Sequence, residues 1–282
     1  MKKSIFLCLT LLALLLGNSV KAQDNEPLTF GVISDIHFGN GMGVGPMVKV
    51  PQALKNLTSQ GKLDVLAVVG DLANSGSASE YEQLVGVFQD EANFTTPVGS
   101  FLFMMGNHDN FNSNGKANYQ EGLKAFNGGE PYPFHIYKVV KGYPFITISE
   151  FSGDSNDTGS AAAGNNAYPA ESIAFLEQSL ERASQECPGK PIFVFTHVPP
   201  RWTVYGAWPE FENGSAWCMK VLNPVLNRYP QAVVFAGHSH YPLGDPRSIH
   251  QGVNPQSSRQ NYYTVINTAS TTYSEVAPPT PK

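Results

Sequence analysis

The sequence contains no apolar run long enough to cross a lipid bilayer. The longest run, from Ile5 to Leu16, has 12 residues, whereas a membrane-spanning helix needs about 20. It follows two lysines and precedes Val20-Lys21-Ala22, an order that is typical of a cleaved export signal. We therefore predict a signal peptide over residues 1–22, cleavage after Ala22, a periplasmic or extracellular location, and no stable insertion into a membrane.

Cysteine is scarce, with three residues in a chain of 282. Cys8 lies in the predicted signal, which leaves Cys187 and Cys218. In an oxidising compartment these two can pair, but spacing along the chain does not decide between a disulfide and two separate thiols. Neither cysteine adjoins a motif, which argues against a cysteine nucleophile.

The chain also lacks a cluster of basic residues. It has 18 Lys and Arg against 23 Asp and Glu, and removal of the three lysines of the predicted signal leaves 15 against 23, a net charge of −8. An acidic chain without a basic patch is a poor partner for nucleic acid or for an anionic membrane surface. Any phosphate group that this protein handles must therefore be held by something other than a basic patch.

Five apolar stretches of strand length each stop at a polar residue. Near-continuous apolar runs are typical of strands in a sheet that is covered on both faces. Strands that alternate with helices form α/β domains, in which ligands gather at the carboxyl ends of the strands. The stretches are 28–34 before Asp35, 64–70 before Asp71, 100–106 before Asn107, 191–196 before His197, and 231–237 before His238.

Helical periodicity and further strands fill the rest of the chain. Four segments have the apolar stripe of a helix: 50–61, 77–92, 170–186 and 217–229, the last interrupted by Pro224. Four more strands are predicted: 133–140 and 143–150 as a hairpin, then 261–270 and 271–276 near the end. The Ser/Gly-rich stretch 152–166 is predicted to be a surface loop and 277–282 a linker or frayed tail. Because the sequence shows no internal repeat and no composition break, we expect one domain over residues 23–282.

The polar residues that follow the five apolar stretches share a metal-binding chemistry. Five of the seven histidines of the chain are among them. Imidazoles and carboxylates have a reason to meet at one sheet edge when they share a positively charged ligand, and such donors without thiolate suit Zn²⁺, Mn²⁺ or iron. Seven donors from this set exceed what one catalytic ion needs, whereas two ions that share a bridging carboxylate fit the number. The nine polar residues that follow the stretches are Asp35, His37, Asp71, Asn107, His108, Asp109, His197, His238 and His240.

The ordered set of these motifs resembles the calcineurin-like metallophosphoesterase family. Each motif alone is weak, but five of them in this order, each after a predicted strand, are specific and extend from Asp35 to His240. The resemblance implies an α/β fold, namely a two-sheet β-sandwich flanked by helices. The motifs are Asp35-Ile36-His37, Gly70-Asp71, Gly106-Asn107-His108-Asp109, His197 and Gly237-His238-Ser239-His240.

Two departures refine the resemblance. The fourth motif is Thr196-His197, where many relatives have Gly-His, and this change leaves the ligand intact. The purple acid phosphatase branch has glycine in place of His37 and tyrosine in place of Asn74, so that branch is disfavoured here. The motifs are closer in form to the cyclic-nucleotide phosphodiesterase-like branch.

The resemblance also implies a role for each residue. Asp35, His37 and His240 would hold one metal ion, Asn107, His197 and His238 the other, and Asp71 would bridge them. His108 would be the general acid, oriented by Asp109. The implied activity is hydrolysis of a phosphodiester or phosphomonoester by hydroxide that two Mn, Fe or Zn ions activate, with a small-molecule phosphate ester as substrate.

The loops and a second class of function complete the prediction. The segment 199–211 directly follows His197 and carries Arg201, which can bind a phosphate oxygen. Its aromatic residues either stack on the substrate or pack on the domain, and the glycine-rich segment 39–47 is a predicted rim of the site. The alternative function is a non-catalytic, metal-dependent binding module of the cell surface.

Overall fold

The structure is a computed structural model, and it describes residues 27–41, 45–152, 167–208, 218–252 and 261–274. The predicted signal peptide, nearly all of the Ser/Gly-rich loop, the tail, and parts of segments 39–47 and 199–211 lie outside the described residues. Among the described residues, no helix is both long enough and apolar enough to cross a membrane.

Nine strands and five α-helices make up the described chain. The strands are Phe30–Ile33 (β1), Val65–Val69 (β2), Phe101–Met104 (β3), His135–Val140 (β4), Tyr143–Ile148 (β5), Ile192–Thr196 (β6), Ala232–Ala236 (β7), Ile249–Gln251 (β8) and Thr264–Asn267 (β9). The helices are Pro46–Thr58 (α1), Ala78–Gln89 (α2), Gly115–Gly122 (α3), Ala170–Glu186 (α4) and Asn223–Leu226 (α5).

The strands form two sheets. The first sheet is parallel, with the order β1-β2-β3, and the second has the order β4-β5-β6-β7-β9-β8. In the second sheet, β5, β6, β7 and β9 run parallel, while β4 and β8 are antiparallel edge strands. The parallel strands of each sheet therefore end at one edge, and the predicted donors follow β1, β2, β3, β6 and β7 there.

The apolar runs are continuous because both faces of the central strands are buried. Val65, Ala67 and Val69 of β2 pack with Phe145 and Phe195 of the second sheet and form the core between the sheets. The alternate residues of β2 join a second apolar cluster with residues of α1 and α2, and a third cluster joins the other sheet to α4 and α5. This layered arrangement confirms the predicted two-sheet α/β fold flanked by helices.

Most of the predicted elements are present, and the differences have physical reasons. Helix α1 begins at Pro46, earlier than predicted, because proline is favourable in a first helical turn. The segment 217–229 contains only the short helix α5 and a 3-10 turn among its described residues, because Pro224 starts a helix there. The predicted final strand is wrong over residues 271–274, which form no strand. Strand β8 and helix α3 were not predicted, since one has three residues and the other has few apolar residues.

The remaining cysteines are both buried, and they do not form a disulfide with each other. Of the two alternatives that the sequence left open, the structure therefore shows separate side chains. Cys187 follows α4 directly, and Cys218 packs in a small apolar cluster with Ala207.

Candidate metal centre

Strained backbone is concentrated where the strands end. Eight described residues other than glycine have a positive φ, and five of these are predicted metal ligands. A left-handed conformation costs a residue with a β-carbon about 1–2 kcal/mol, so the fold has no reason to collect five of them at one edge. Such strain is characteristic of functional sites. The five residues are Asp35, His37, Asp71, His238 and His240, with φ between 43° and 66°.

Glycines next to these residues allow the turns to approach one another. A β-carbon on Gly106 would overlap Oδ1 of Asp71 and lie 2.7 Å from the ring of His197. A β-carbon on Gly70 would overlap the His197 ring, and one on Gly237 would lie 2.5 Å from Oδ2 of Asp35. The motif glycines are therefore required by close packing of the donors, in addition to any turn geometry.

The first group of donors consists of Asp35, His37, Asp71 and His240. Their ligand atoms lie within 4.8 Å of one another, and all four residues are buried. Nε2 of His240 lies 2.9 Å from Oδ1 of Asp35 and 3.3 Å from Nε2 of His37. The latter nitrogen is 3.6 Å from Oδ2 of Asp71. The ligand atoms of the four side chains therefore surround one common position.

The second group shares Asp71 with the first. Ligand atoms of Asp71, His197 and His238 also lie within 4.8 Å of one another. The amide oxygen of Asn107 lies 3.2 Å from Nε2 of His197 and 3.0 Å from Nδ1 of His238. The seven predicted ligands therefore form two groups that meet at one carboxylate.

The donor set fits a bound cation. Nδ1 of His197 lies 2.9 Å from the carbonyl of Val69, so this nitrogen carries the proton and donates it. In the neutral ring, the lone pair of Nε2 then points at Oδ1 of Asp71 and Oδ1 of Asn107, each 3.2 Å away. Two acceptors at this distance repel each other unless a proton or a cation lies between them. The same holds for the facing Nε2 atoms of His37 and His240, between which only one proton fits.

The metal-free charge state leads to the same conclusion. Burial lowers the pKa of His197, but the Asp71 carboxylate more than offsets this effect and raises that pKa to about 10. In the metal-free site a proton therefore occupies the place of a cation between Nε2 of His197 and Asp71, and a metal ion would have to displace that proton. Burial lowers the pKa of His37 to about 4 and that of His238 to about 3, so these rings are neutral at pH 7. Burial raises the pKa of Asp35, yet the neighbouring His240 and His197 hold it below its usual value. Ionised carboxylates and neutral imidazoles are the forms that bind divalent metal ions.

His108 lies beside both groups without belonging to either. It begins a 3-10 turn over His108–Asn110, and its backbone N–H donates to Oδ1 of Asp71 over 2.9 Å. Its Nδ1 lies 2.8 Å from the carbonyl of Asn74, which fixes the proton on Nδ1. Its ring centroid is 4.6 Å from that of His37. Nε2 is therefore the nitrogen that can exchange a proton with a ligand.

The contacts of Asp109 differ from the sequence prediction, in which Asp109 orients the His108 ring. Its Oδ2 accepts from the N–H groups of Leu72 and Gly106, and its Oδ1 accepts from Ala73 N–H and the Tyr81 hydroxyl. The carboxylate is fully buried and ties two of the ligand-bearing turns together. The carbonyl of Asn74 orients the imidazole instead, because the turn after Asp71 brings that carbonyl to Nδ1.

Segment 199–211 makes contacts both within itself and with the rest of the domain where it is described. The guanidinium carbon of Arg201 lies 4.6 Å from the ring of Trp202. Tyr205 stacks on Tyr241 with ring centroids 4.0 Å apart, and Arg247 lies over it at 3.4 Å. These contacts favour the packing role for Tyr205, while phosphate binding by Arg201 stays a prediction.

Two features of the site were missed at the level of sequence. Glu150 is fully buried just after β5, and its charge helps to raise the pKa of His197. Glu150 could have been found by the rule used for the other residues, which selects polar side chains at strand ends. The hydroxyls of Ser270 and Thr272 donate to the carbonyl of Asp35 over 3.1 and 2.9 Å. No sequence pattern marks these two residues.

Residues 28–242 match the family model of the calcineurin-like phosphoesterases. The chain belongs to this family. The matched part contains every candidate donor, from Asp35 to His240. No curated protein matches the sequence.

The chain is also similar to several solved structures. Phosphopantetheinyl hydrolase from Mycobacterium tuberculosis is 15% identical, with a TM-score of 0.47 and coverage of 86% of this chain and 90% of that one. A candidate 5′-nucleotidase from Staphylococcus aureus is 16% identical, with a TM-score of 0.48 and coverage of 86% and 48%. The GAP50 anchor of the inner membrane complex of Plasmodium is 16% identical, with a TM-score of 0.45 and coverage of 86% and 72%.

Proposed function

We propose that this protein is a metal-dependent phosphoesterase that hydrolyses a phosphodiester or phosphomonoester of a small molecule. The observation that carries the proposal is the position of Asp71 in both donor groups, which supports a pair of metal ions that share one carboxylate. Asp35, His37 and His240 would hold the first ion, and Asn107, His197 and His238 the second. The donor types favour Mn, Fe or Zn.

Metal ions also account for phosphate binding by an acidic chain. When bound, such ions lower the pKa of water towards neutral and offset the negative charge of phosphoryl oxygens. The protein contributes rigid placement, because the donors sit on short turns whose backbone is strained and closely packed. Arg201, which lies on the loop after His197, would add a contact to a phosphate oxygen at the rim.

His108 supplies the proton that the leaving oxygen needs. Asn74 accepts from Nδ1–H, which leaves Nε2 as the nitrogen that would donate the proton. A positioned general acid contributes about 10²–10⁴-fold to the rate when the leaving group is a poor one. The oxygen of the attacking water bonds to phosphorus as the P–O bond to the leaving group breaks and the leaving oxygen takes the proton from Nε2. The neutral imidazole is then reprotonated from solvent, which also takes up the proton that the attacking water releases.

A metal and turnover assay tests the proposal. We expect purified protein to contain close to two transition-metal ions per chain and to hydrolyse simple phosphate diesters or monoesters. A chelator should abolish the activity, and the activity should return when metal is restored. If the protein binds the metals but hydrolyses none of these esters, the non-catalytic binding module is the correct function. Absence of any bound metal would contradict both.

We also propose that the chain is exported and that residues 1–22 are removed. The support is the basic, apolar and small-residue order at the start of the sequence. Mass spectrometry of the protein secreted by an expressing bacterium should find Gln23 as the first residue. A chain that stays in the cytoplasm with Met1 intact would contradict this part.

A further inference from the structure

Phe111 is an exposed aromatic residue at the candidate site. Its side chain is 54% exposed, and every other described phenylalanine is buried or partly buried. Isolated exposed apolar residues are common and need no explanation by themselves. The position of Phe111, two residues beyond Asp109 and in contact with His108, is what makes its exposure informative.

The ring of Phe111 is held against the candidate general acid. The ring centroids of Phe111 and His108 are 4.4 Å apart, with 40° between the ring planes. The backbone under the ring is fixed, because Phe111 N–H donates to the carbonyl of His108 over 3.1 Å. The Asn110 side chain also donates to the carbonyls of Gly106 and Glu150 over 2.8 and 2.9 Å. Phe111 therefore keeps an apolar face in solvent at a defined place.

We propose that Phe111 is a specificity-determining residue that binds a planar, apolar leaving group of the substrate. This inference rests on the proposed function. If His108 donates its proton to the leaving oxygen, then a side chain in contact with His108 borders the group attached to that oxygen. An exposed phenyl ring there favours a leaving group with an aromatic or heteroaromatic ring, since offset or edge-to-face ring pairs are favourable beyond their buried area.

A positioning role is the rival explanation, in which Phe111 serves only to hold the His108 imidazole. The two roles predict different kinetics. A positioning residue would affect every substrate that needs protonation by the same factor, mainly through kcat. A leaving-group contact would affect only substrates with a ring and would act on KM as well, because it is present in the bound ground state.

Three esters with leaving alcohols of similar acidity separate these roles. They carry phenylethyl, cyclohexylethyl and methoxyethyl groups, and each is prepared as a phosphate monoester and as a methyl diester. The variants are Phe111→Ala, Phe111→Leu and Phe111→Tyr, with Tyr262→Ala as the control. Tyr262 is also an exposed aromatic residue, at 53%. It precedes β9 and therefore lies at the amino ends of the parallel strands, whereas the candidate site lies at their carboxyl ends.

We expect wild type to prefer the phenylethyl ester. Phe111→Ala should lower kcat/KM for this ester by about tenfold, mostly through KM, and leave the methoxyethyl ester within twofold. Phe111→Tyr should keep the preference, Phe111→Leu should lose the distinction between phenyl and cyclohexyl, and Tyr262→Ala should match wild type. Equal losses for all three esters, or no loss in Phe111→Ala, would overturn the proposal.

A binding measurement separates failure of this inference from failure of the proposed function. Phenylpropylphosphonate and methoxypropylphosphonate replace the leaving oxygen by a methylene group and cannot be hydrolysed at that position. Calorimetry on metal-loaded protein should show tighter binding of the phenyl compound, and Phe111→Ala should remove the difference. If wild type hydrolyses no ester, the proposed function fails, and equal affinity for the two phosphonates would show that the Phe111 proposal fails as well.

Discussion

Substitution of Gly237 by alanine tests whether close packing of the donors is required for metal binding. Gly237 immediately precedes His238 at the end of β7. A β-carbon there would overlap Oγ of Ser34 and lie 2.5 Å from Oδ2 of Asp35. Ordinary van der Waals contact begins at 3.4 Å, so the Asp35 carboxylate must move by about 1 Å.

The displacement is large compared with what either metal bonds or packing tolerate. Metal–ligand distances vary by only about 0.2 Å, so Asp35 would no longer bind in the first group. The Ser34 hydroxyl donates to the Asp35 carboxylate and lies 2.8 Å from the carbonyl of Val69, and both contacts would be disturbed. Overpacking costs about 1–3 kcal/mol and a hydrogen bond to a charged group about 1.5–3 kcal/mol. We therefore expect about 2.5–6 kcal/mol lower stability in a protein that still folds.

Elemental analysis and urea unfolding measure the two effects. Gly237→Ala should retain close to one metal ion per chain instead of two, because the second donor group does not include Asp35. Adding Ser34→Ala should recover part of the stability but not the metal, since the overlap with Asp35 remains. Gly86→Ala is the control, because a β-carbon there meets nothing within 4 Å in α2, and it should stabilise by about 0.5–1 kcal/mol. Full metal content together with unchanged stability in Gly237→Ala would refute this reasoning.

Three further predictions concern titratable residues. Asp71→Asn should lower metal content and rate by more than Asn107→Ala does, because Asp71 lies in both donor groups; equal metal content in the two variants would contradict a bridging role. His108→Ala should keep both metals and lose little activity on nitrophenyl esters but much more on alkyl esters. Asp109→Asn should lower the activity on the two kinds of ester by the same factor, and kinetics on paired nitrophenyl and alkyl esters measures the difference. Burial lowers the pKa of His135 to about 4, against about 6.5 in an unfolded chain. The unfolded state therefore binds more protons between these values, and stability should fall as the pH drops from about 6.5 to 4. Urea unfolding of metal-free His135→Gln should show a smaller fall than wild type, and an identical fall would exclude a contribution from His135.

The sequence by itself determined the central strands and the identity of the candidate donors. Continuous apolar runs such as 64–70 predict buried strands because both faces of a central strand must be apolar, and β2 lies within that range. The donors could be found because each one follows such a run directly, and parallel strands bring their ends to one edge. The resemblance of the ordered motifs to one family then led to the fold, which the two sheets confirm.

Tertiary structure decided what the donors touch. The role of Asp109 depended on where the turn after Asp71 lies, and a neighbour in sequence gives no information about a contact between turns. The fit of Gly237 against Asp35, about 200 residues apart in the chain, likewise arises only when separate turns are packed together. Local sequence specifies which atoms can bind a metal ion or a proton, but distances between them are set by packing of the sheets, because side chains far apart in the chain share no local interaction before folding.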